Sequence, residues 1–335
     1  MNLHFRDPEA ASLYFRNKPG TASQRLALAE YGFSLRYSDP AAMRGWCDAA
    51  LVCLPTQINT RISALLHGYA GNAHRIVGEF TSAEHLLKAA LALNSTEPLL
   101  LEFWASLLHD RRRLTEASAV LTEAAALRRE KGDPLPLAST LLQSAIVLDL
   151  TAHSEDAASV ALNAIAAIAS ETPSERGKEL LRTALQNVAL YLTDSGRPKD
   201  ALMVLRLSGP LLAEGGYRFQ LRMDWLLARI SGALGDFHGA REAFYAVKKR
   251  FVEEQMPHEV ALISLDLARH LLQASPLEAR AEVALVGPIL TQLGIAENSK
   301  EMELFRSILA SSQPSLDLLT ELSRSLYAQP RFKSF

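Results

Sequence analysis

Arg222, Trp225 and Arg229 recur at i, i+3 and i+7, a spacing that places all three on one face of a helix. A guanidinium beside an indole suits recognition rather than bond making. Arginine and tryptophan dominate interface hot spots, and the guanidinium fork takes a carboxylate through two parallel hydrogen bonds. Asn187 and Gln143 add side chains that donate and accept at once, as holding the backbone of an extended peptide requires. Each residue also has a plainer role open to it. Arg229 can pair with Asp266 as a structural bridge, Trp225 can wedge between helices as a core aromatic, and Asn187 can cap or cross-link neighbouring helices. Trp46 and Trp104 fall in a packing register and are expected in the core.

Bond-making chemistry finds no comparable constellation. The nine histidines are scattered, and no H-E-x-x-H places two metal ligands one helical turn apart. His67 and His74 lie two turns apart with no Cys, Asp or Glu read as completing a cluster, and His85 beside Glu84 belongs to an ordinary polar face. There is no G-x-S-x-G elbow, no phosphate-cradling glycine loop and no G-x-G-x-x-G after a strand. Cys47 and Cys53 are the only cysteines, too few for a disulfide framework or a zinc site. Flanked by Trp46, Leu51, Val52 and Leu54, they read as packed thiols in a reducing compartment. The expectation is a protein that is not an enzyme and carries no cofactor or metal.

The elements that would position such residues are helices. Apolar residues make up 48% of the 335 but aromatics only 7%, and alanine and leucine dominate, a mix that suits closely approaching helices better than sheets. Thirty-five basic against 37 acidic residues give a net charge of −2, without the basic excess of a nucleic-acid binder. The two dense basic runs, Arg111 to Arg113 and Lys248 to Arg250, sit at helix ends, where cations complement the carbonyl terminus. The first 20 residues lack the pattern of a secretory signal, and no apolar run reaches a membrane span. A cytoplasmic location is expected.

A phrase repeats down the chain. Gly235, Phe237, Ala240 and Phe244 state it as G-x-F-x-x-A-x-x-x-F; Gly78, Phe80, Ala83, Leu87 and Ala90 repeat it, as do Leu114, Ala117, Leu121 and Ala124. The alanine anchors Ala42, Ala83, Ala117, Ala157, Ala201 and Ala240 recur every 34 to 44 residues, the interval of a helical hairpin. Thr21 or Ser23 should cap a first helix, Asp39-Pro40 should open the second, and Gly78 should close a helix in left-handed geometry. The excess length of the fourth hairpin falls in the loop from Arg129 to Pro136. The seventh is weaker, with Leu267-Ala268 in one helix and Pro276 to about Leu293 in the other. No domain boundary interrupts the pattern.

These motifs resemble the tetratricopeptide repeat (TPR) family. Leu101, Trp104-Ala105 and Leu108, followed by Ala117, Leu121 and Ala124, match its register; so do Leu185, Val188-Ala189, Leu192, Gly196, Ala201 and Leu205. The family's closing proline is mostly missing, and His67 and His74 replace bulky apolar residues. The chain is also similar to bacterial proteins in which such arrays occur alone or fused to an effector module, with Val260 to Ala268 as the late-repeat phrase. Only about 20 residues precede the first helix, too few for a helix-turn-helix. The resemblance implies an all-α, right-handed α-solenoid of about seven TPR-like helix hairpins over residues 21–293, an irregular lead-in at 1–20, and capping helices and tail at 294–335. First helices then line a concave groove. Transferring the register gives partner-binding candidates at Asn72, Arg75, Glu102, His109, Gln143, Gln186, Asn187, Arg222, Trp225, Arg229 and Asp266.

The function implied is a protein- or peptide-binding scaffold or regulatory subunit, with no direct nucleic-acid or membrane partner. The alternative is a regulator that sequesters a transcription or sigma factor or senses a signalling peptide. An enzyme with an unrecognised site and a self-assembling scaffold are further readings, and oligomeric state is left open.

Overall fold

Capping chemistry sets the helix starts. In the computed structural model, which describes residues 5–55, 57–172, 174–311 and 315–327, Asp39 accepts from the Ala42 amide at 2.9 Å and Pro40 begins a helix. Thr21 and Gln24 close a capping box, with each side chain accepting from the other residue's amide. Every regular element among the described residues is helical.

The chain forms two compact units, Met1–Asp133 and Pro134–Phe335. They divide within the Arg129-to-Pro136 segment expected as a long loop, of which only Gly132 and Asp133 lie outside helices. The first unit holds α1 (Pro8–Asn17), α2 (Ala22–Ser34), α3 (Pro40–Leu51), α4 (Thr60–Ile76), α5 (Phe80–Leu93), α6 (Pro98–Asp110) and α7 (Leu114–Lys131). The second holds α8 (Pro134–Leu150), α9 (Ser154–Ala169), α10 (Glu175–Asp194), α11 (Pro198–Leu207), α12 (Gly209–Ala213), α13 (Tyr217–Ala233) and α14 (Phe237–Glu253). It continues with α15 (Pro257–Leu271), α16 (Pro276–Ala284), α17 (Val286–Gln292), α18 (Lys300–Ala310) and α19 (Leu316–Tyr327). The lead-in expected to be irregular contains α1, capped by Asp7 and packed on α3 through buried Ala11 and Phe15. Two second helices are split, α11 from α12 and α16 from α17. Pro210 and Pro288 lie just beyond the two breaks; each lacks an N–H, and its ring crowds the carbonyl four residues earlier.

One turn motif joins five hairpins. Gly78, Arg112, Ala152, Gly196 and Gly235 all have left-handed φ, from 63° to 92°. In each turn the next amide reaches back five residues: Glu79 to His74, Arg113 to Leu108, His153 to Leu148, Arg197 to Leu192 and Asp236 to Ser231, at 2.7 to 3.0 Å. This satisfies carbonyls that a helix end leaves orphaned. Glycine fits that geometry freely, whereas Arg112 and Ala152 carry a Cβ into it at about 1 kcal/mol each.

Small residues then let the helices close. Ala83, Ala117, Ala157, Ala201 and Ala240 are fully buried. A Cβ on Gly71 would stand 2.7 Å from Leu87 Cγ, so only glycine allows that approach. Ala42 is only half-buried, and Met43, Trp46, Ala49 and Ala50 take the packing load in that degenerate pair.

Curvature follows from which helices touch. In the first unit α2 contacts α4 and α4 contacts α6; in the second α8 contacts α10, α10 contacts α13 and α13 contacts α15. Second helices of successive hairpins show no contact of that extent. Within each unit the first helices therefore form the inner row. Ion pairs cross-link neighbouring hairpins at about one repeat interval: Arg75 with Asp110, 35 residues apart; Arg229 with Asp194, 35 apart; Arg241 with Glu278, 37 apart. The second unit buries a continuous core from Leu221 on α13 to Leu326 on α19, so the last two helices cover its apolar end.

Candidate functional site

The inner row of the first unit is largely engaged with itself, although the buried Nε2 of His109 meets no hydrogen-bond partner among the described residues. Phe33, Tyr69 and Phe103, one from each of α2, α4 and α6, pack as an aromatic column with centroids 5.5 to 5.7 Å apart. Asn72 is buried and accepts from Arg75 Nε at 2.9 Å, while Arg75 Nη1 meets Asp110 at 2.6 Å. Burial alone would raise the Asp110 pKa, but His109 and Arg75 outweigh it and hold the carboxylate below its usual range. Glu102 takes Arg128 through two bonds of 2.9 and 3.1 Å. Of four expected partner-binding residues, Arg75 and Glu102 thus cross-link helices, Asn72 holds Arg75 on its own helix, and His109 bonds the adjacent Asp110 through Nδ1.

His74 has the acidic neighbours that its sequence context did not disclose. Its Nε2 meets Asp48 at 3.0 Å and its Nδ1 meets Glu79 at 2.6 Å, and Arg44 also pairs with Glu79. Both ring nitrogens face carboxylates, so the imidazolium fits and the neutral ring does not. The bond to Asp48 leads the causes that raise the His74 pKa above its ordinary value. The stabilisation is therefore complete below the unfolded-state value of about 6.5 and is lost as pH rises through the folded one. Urea unfolding of the wild type should show the first unit losing stability as pH rises above about 6.5, and His74→Ala should lose that dependence. An equal slope in both proteins would disprove the pairing. The cysteines also differ from expectation: Cys47 is buried with its thiol pushed up to about 12 by burial first and Asp48 second, but Cys53 is exposed.

The second unit gathers most of the remaining candidates on α8, α10, α13 and α15. Trp225 is buried and donates Nε1–H to Asp266 at 3.0 Å. Arg229 on the next turn meets Asp194 of α10 at 2.5 Å and Asp266 of α15 at 3.5 Å. Burial would lower the Arg229 pKa, yet Asp194 and Asp266 overcome it and hold the guanidinium firmly charged. Asp266 also takes Arg269 at 3.3 Å. The bridge and wedge roles open to Arg229 and Trp225 are thus the ones the structure shows. Arg222 stands partly exposed against Glu259 at 3.2 Å.

Three candidates remain unengaged. Gln143 on α8 and Gln186 and Asn187 on α10 are half-buried and make no side-chain hydrogen bond to any described residue. Beside them are residues that sequence reasoning missed. Asp149 on α8 accepts from Ser154 at 2.7 Å, and burial, followed by the nearby charge of Asp194, raises its pKa. The Tyr191 phenol is buried and likewise pushed upward, by burial and then by Asp149 and Asp194. One signal was available for Asp194: it precedes Arg229 by 35 residues, the repeat interval. The inner row of this unit thus carries three unengaged amides on α8 and α10, with Asp149 and Asp194 further along the same two helices and Asp194 paired with Arg229.

No protein-family model matches the sequence, and no curated protein does. Solved structures do. The apo form of RapI is 12% identical with TM-score 0.62, covering 82% of this chain and 99% of RapI. The apo form of the quorum sensor NprR from B. thuringiensis is 14% identical with TM-score 0.58, covering 94% of this chain and 89% of that one. A Rap protein complexed with Competence and Sporulation Factor is 13% identical with TM-score 0.64, covering 92% and 88%. These likenesses show the fold, an all-helical array of tetratricopeptide-like hairpins.

Proposed function

We propose that this protein is a non-catalytic, cytoplasmic regulator that senses an extended peptide on the inner row of its second unit. The free amides of Gln143, Gln186 and Asn187 carry the reading. They are the unengaged polar candidates in a row whose other candidates are bonded to neighbouring helices, and each amide both donates to and accepts from a peptide backbone. Asp149, further along α8 and without a cation in contact, favours a cationic group on the ligand. Of the solved proteins sharing the fold, one is a quorum sensor and another was captured with Competence and Sporulation Factor, which supports a peptide ligand.

The basic runs add no nucleic-acid surface. Lys248 pairs with Glu282, Arg250 with Asp224, Arg111 with Glu84 and Arg113 with Glu116. No helix among the described residues is long and apolar enough to cross a membrane.

Panning a random heptapeptide library on the purified protein tests the reading. An enriched peptide should bind the Gln143→Ala/Asn187→Ala variant about 30-fold more weakly, from two lost hydrogen bonds near 1 kcal/mol each. Folding stability should change by no more than about 0.5 kcal/mol. Failure to enrich any peptide, or equal affinity in the variant, would reject the proposal.

A further inference from the structure

The last helix does more than close the apolar end of the second unit. Its apolar side, Leu319, Leu322 and Leu326, is fully buried against α15 and α18. A cap needs nothing further. Yet α19 continues along the inner row and passes its final turn back over α13. The Tyr327 ring stacks on Trp225 with centroids 6.0 Å apart and planes 11° from parallel. His258 of α15 bonds the Leu326 carbonyl at 2.9 Å, fixing where that turn lies. Arg324, one turn earlier, is near enough to Asp149 on α8 to favour its charged form, and Tyr327 bears on Arg229 in the same way. The end of α19 therefore spans the inner row from the seventh hairpin to within electrostatic reach of the fourth.

We propose that the terminal turn of α19 is an intramolecular competitor for the peptide site, holding the Trp225–Arg229–Asp266 end of the inner row until a ligand displaces it. This rests on the peptide-sensing reading above. Its chemistry parallels that of a ligand: an aromatic ring on the indole, followed from one turn earlier by a cation within longer electrostatic range of Asp149. The hold is graded rather than absolute. The final turn is held by one offset ring stack, the His258–Leu326 bond and the burial of Leu326, so a ligand must make several good contacts to release it. Movement of α19 would leave Trp225 with its bond to Asp266 and its edge contact with Phe251, 5.9 Å away, but without its stacking partner.

Hydrogen exchange on the full chain tests the competition, with a library-selected heptapeptide as the probe. Adding the peptide should speed exchange of the amides in 320–327 by tenfold or more while those in 260–268 stay protected. The Tyr327→Ala/Arg324→Ala variant should bind the peptide at least fivefold more tightly, and Tyr327→Phe, which keeps the stack, should match the wild type. A peptide that binds the wild type through Asn187 while 320–327 stay equally or better protected would overturn the competitor and leave the sensing reading intact. If neither wild type nor loosened variant retains any peptide, both proposals fall.

Discussion

Replacing Arg25 by methionine should cost the Met1–Asp133 unit about 4 kcal/mol, read as the first urea transition followed by Trp46 fluorescence. Arg25 is fully buried. Its Nε donates to the Pro19 carbonyl at 2.8 Å; Nη1 donates to Ala50 and Val52 at 2.9 and 2.7 Å, and Nη2 to Cys53 at 3.2 Å. The guanidinium plane also lies 4.1 Å from the Phe15 ring centroid, tying α1 to the same centre. Three of those carbonyls belong to the end of α3 and the turn after it, where a helix leaves oxygens without partners. Cys53 takes a φ of 48°, so the turn is wound around the guanidinium. Methionine fills much of the volume but donates nothing, and each carbonyl left dry costs about 1 to 3 kcal/mol. Lysine should recover less than half, because a compact ammonium cannot span four acceptors. A loss below about 1 kcal/mol for Arg25→Met would show that water reaches those carbonyls.

Arg229→Met is expected to cost the Pro134–Phe335 unit about 3 to 5 kcal/mol, the usual result of leaving a buried ionic partner alone. Asp194 would lose its one side-chain hydrogen bond among the described residues, while Asp266 would keep Trp225 and Arg269. Adding Asp194→Asn to Arg229→Met should therefore restore part of the stability. The pH dependence of the single variant has a definite sign. Arg229 also draws down the Asp149 pKa that burial raises, so without it protonation of Asp149 favours the fold more strongly and the variant should be less impaired at pH 5 than at pH 8. A mild, pH-independent effect would mean that Arg229 packs without pairing.

The helical-hairpin array was legible because its signals are local. Asp39-Pro40, Thr21 with Gln24, Gly78 and the alanines at three-plus-four spacing state their roles within one turn of helix. The turn at Ala152 was not legible, since alanine carries no mark of a left-handed φ that only its neighbours impose. The helix at Pro8–Asn17 was missed because its start and Pro19-Gly20 read as punctuation, although Asp7 followed by Pro8 is itself a capping signal.

The site was legible by position but not by occupancy. Register picked inner-row residues, yet register cannot tell a free side chain from a bonded one. Asn72, Arg75 and Trp225 are held by partners on their own or the next hairpin, whereas Gln143 and Asn187 are not. Tyr327 lay beyond any register argument, because its contact with Trp225 spans 102 residues of chain. The exposure of Cys53 follows from the turn that Arg25 organises, which begins 25 residues away.

The most direct test of peptide sensing is amide hydrogen exchange across the whole chain with and without the selected heptapeptide. Protection concentrated in 139–150 of α8 and 183–194 of α10, and lost in Gln143→Ala/Asn187→Ala, is the predicted result. Protection confined to α4 and α6, or none at all despite measurable binding, would contradict it.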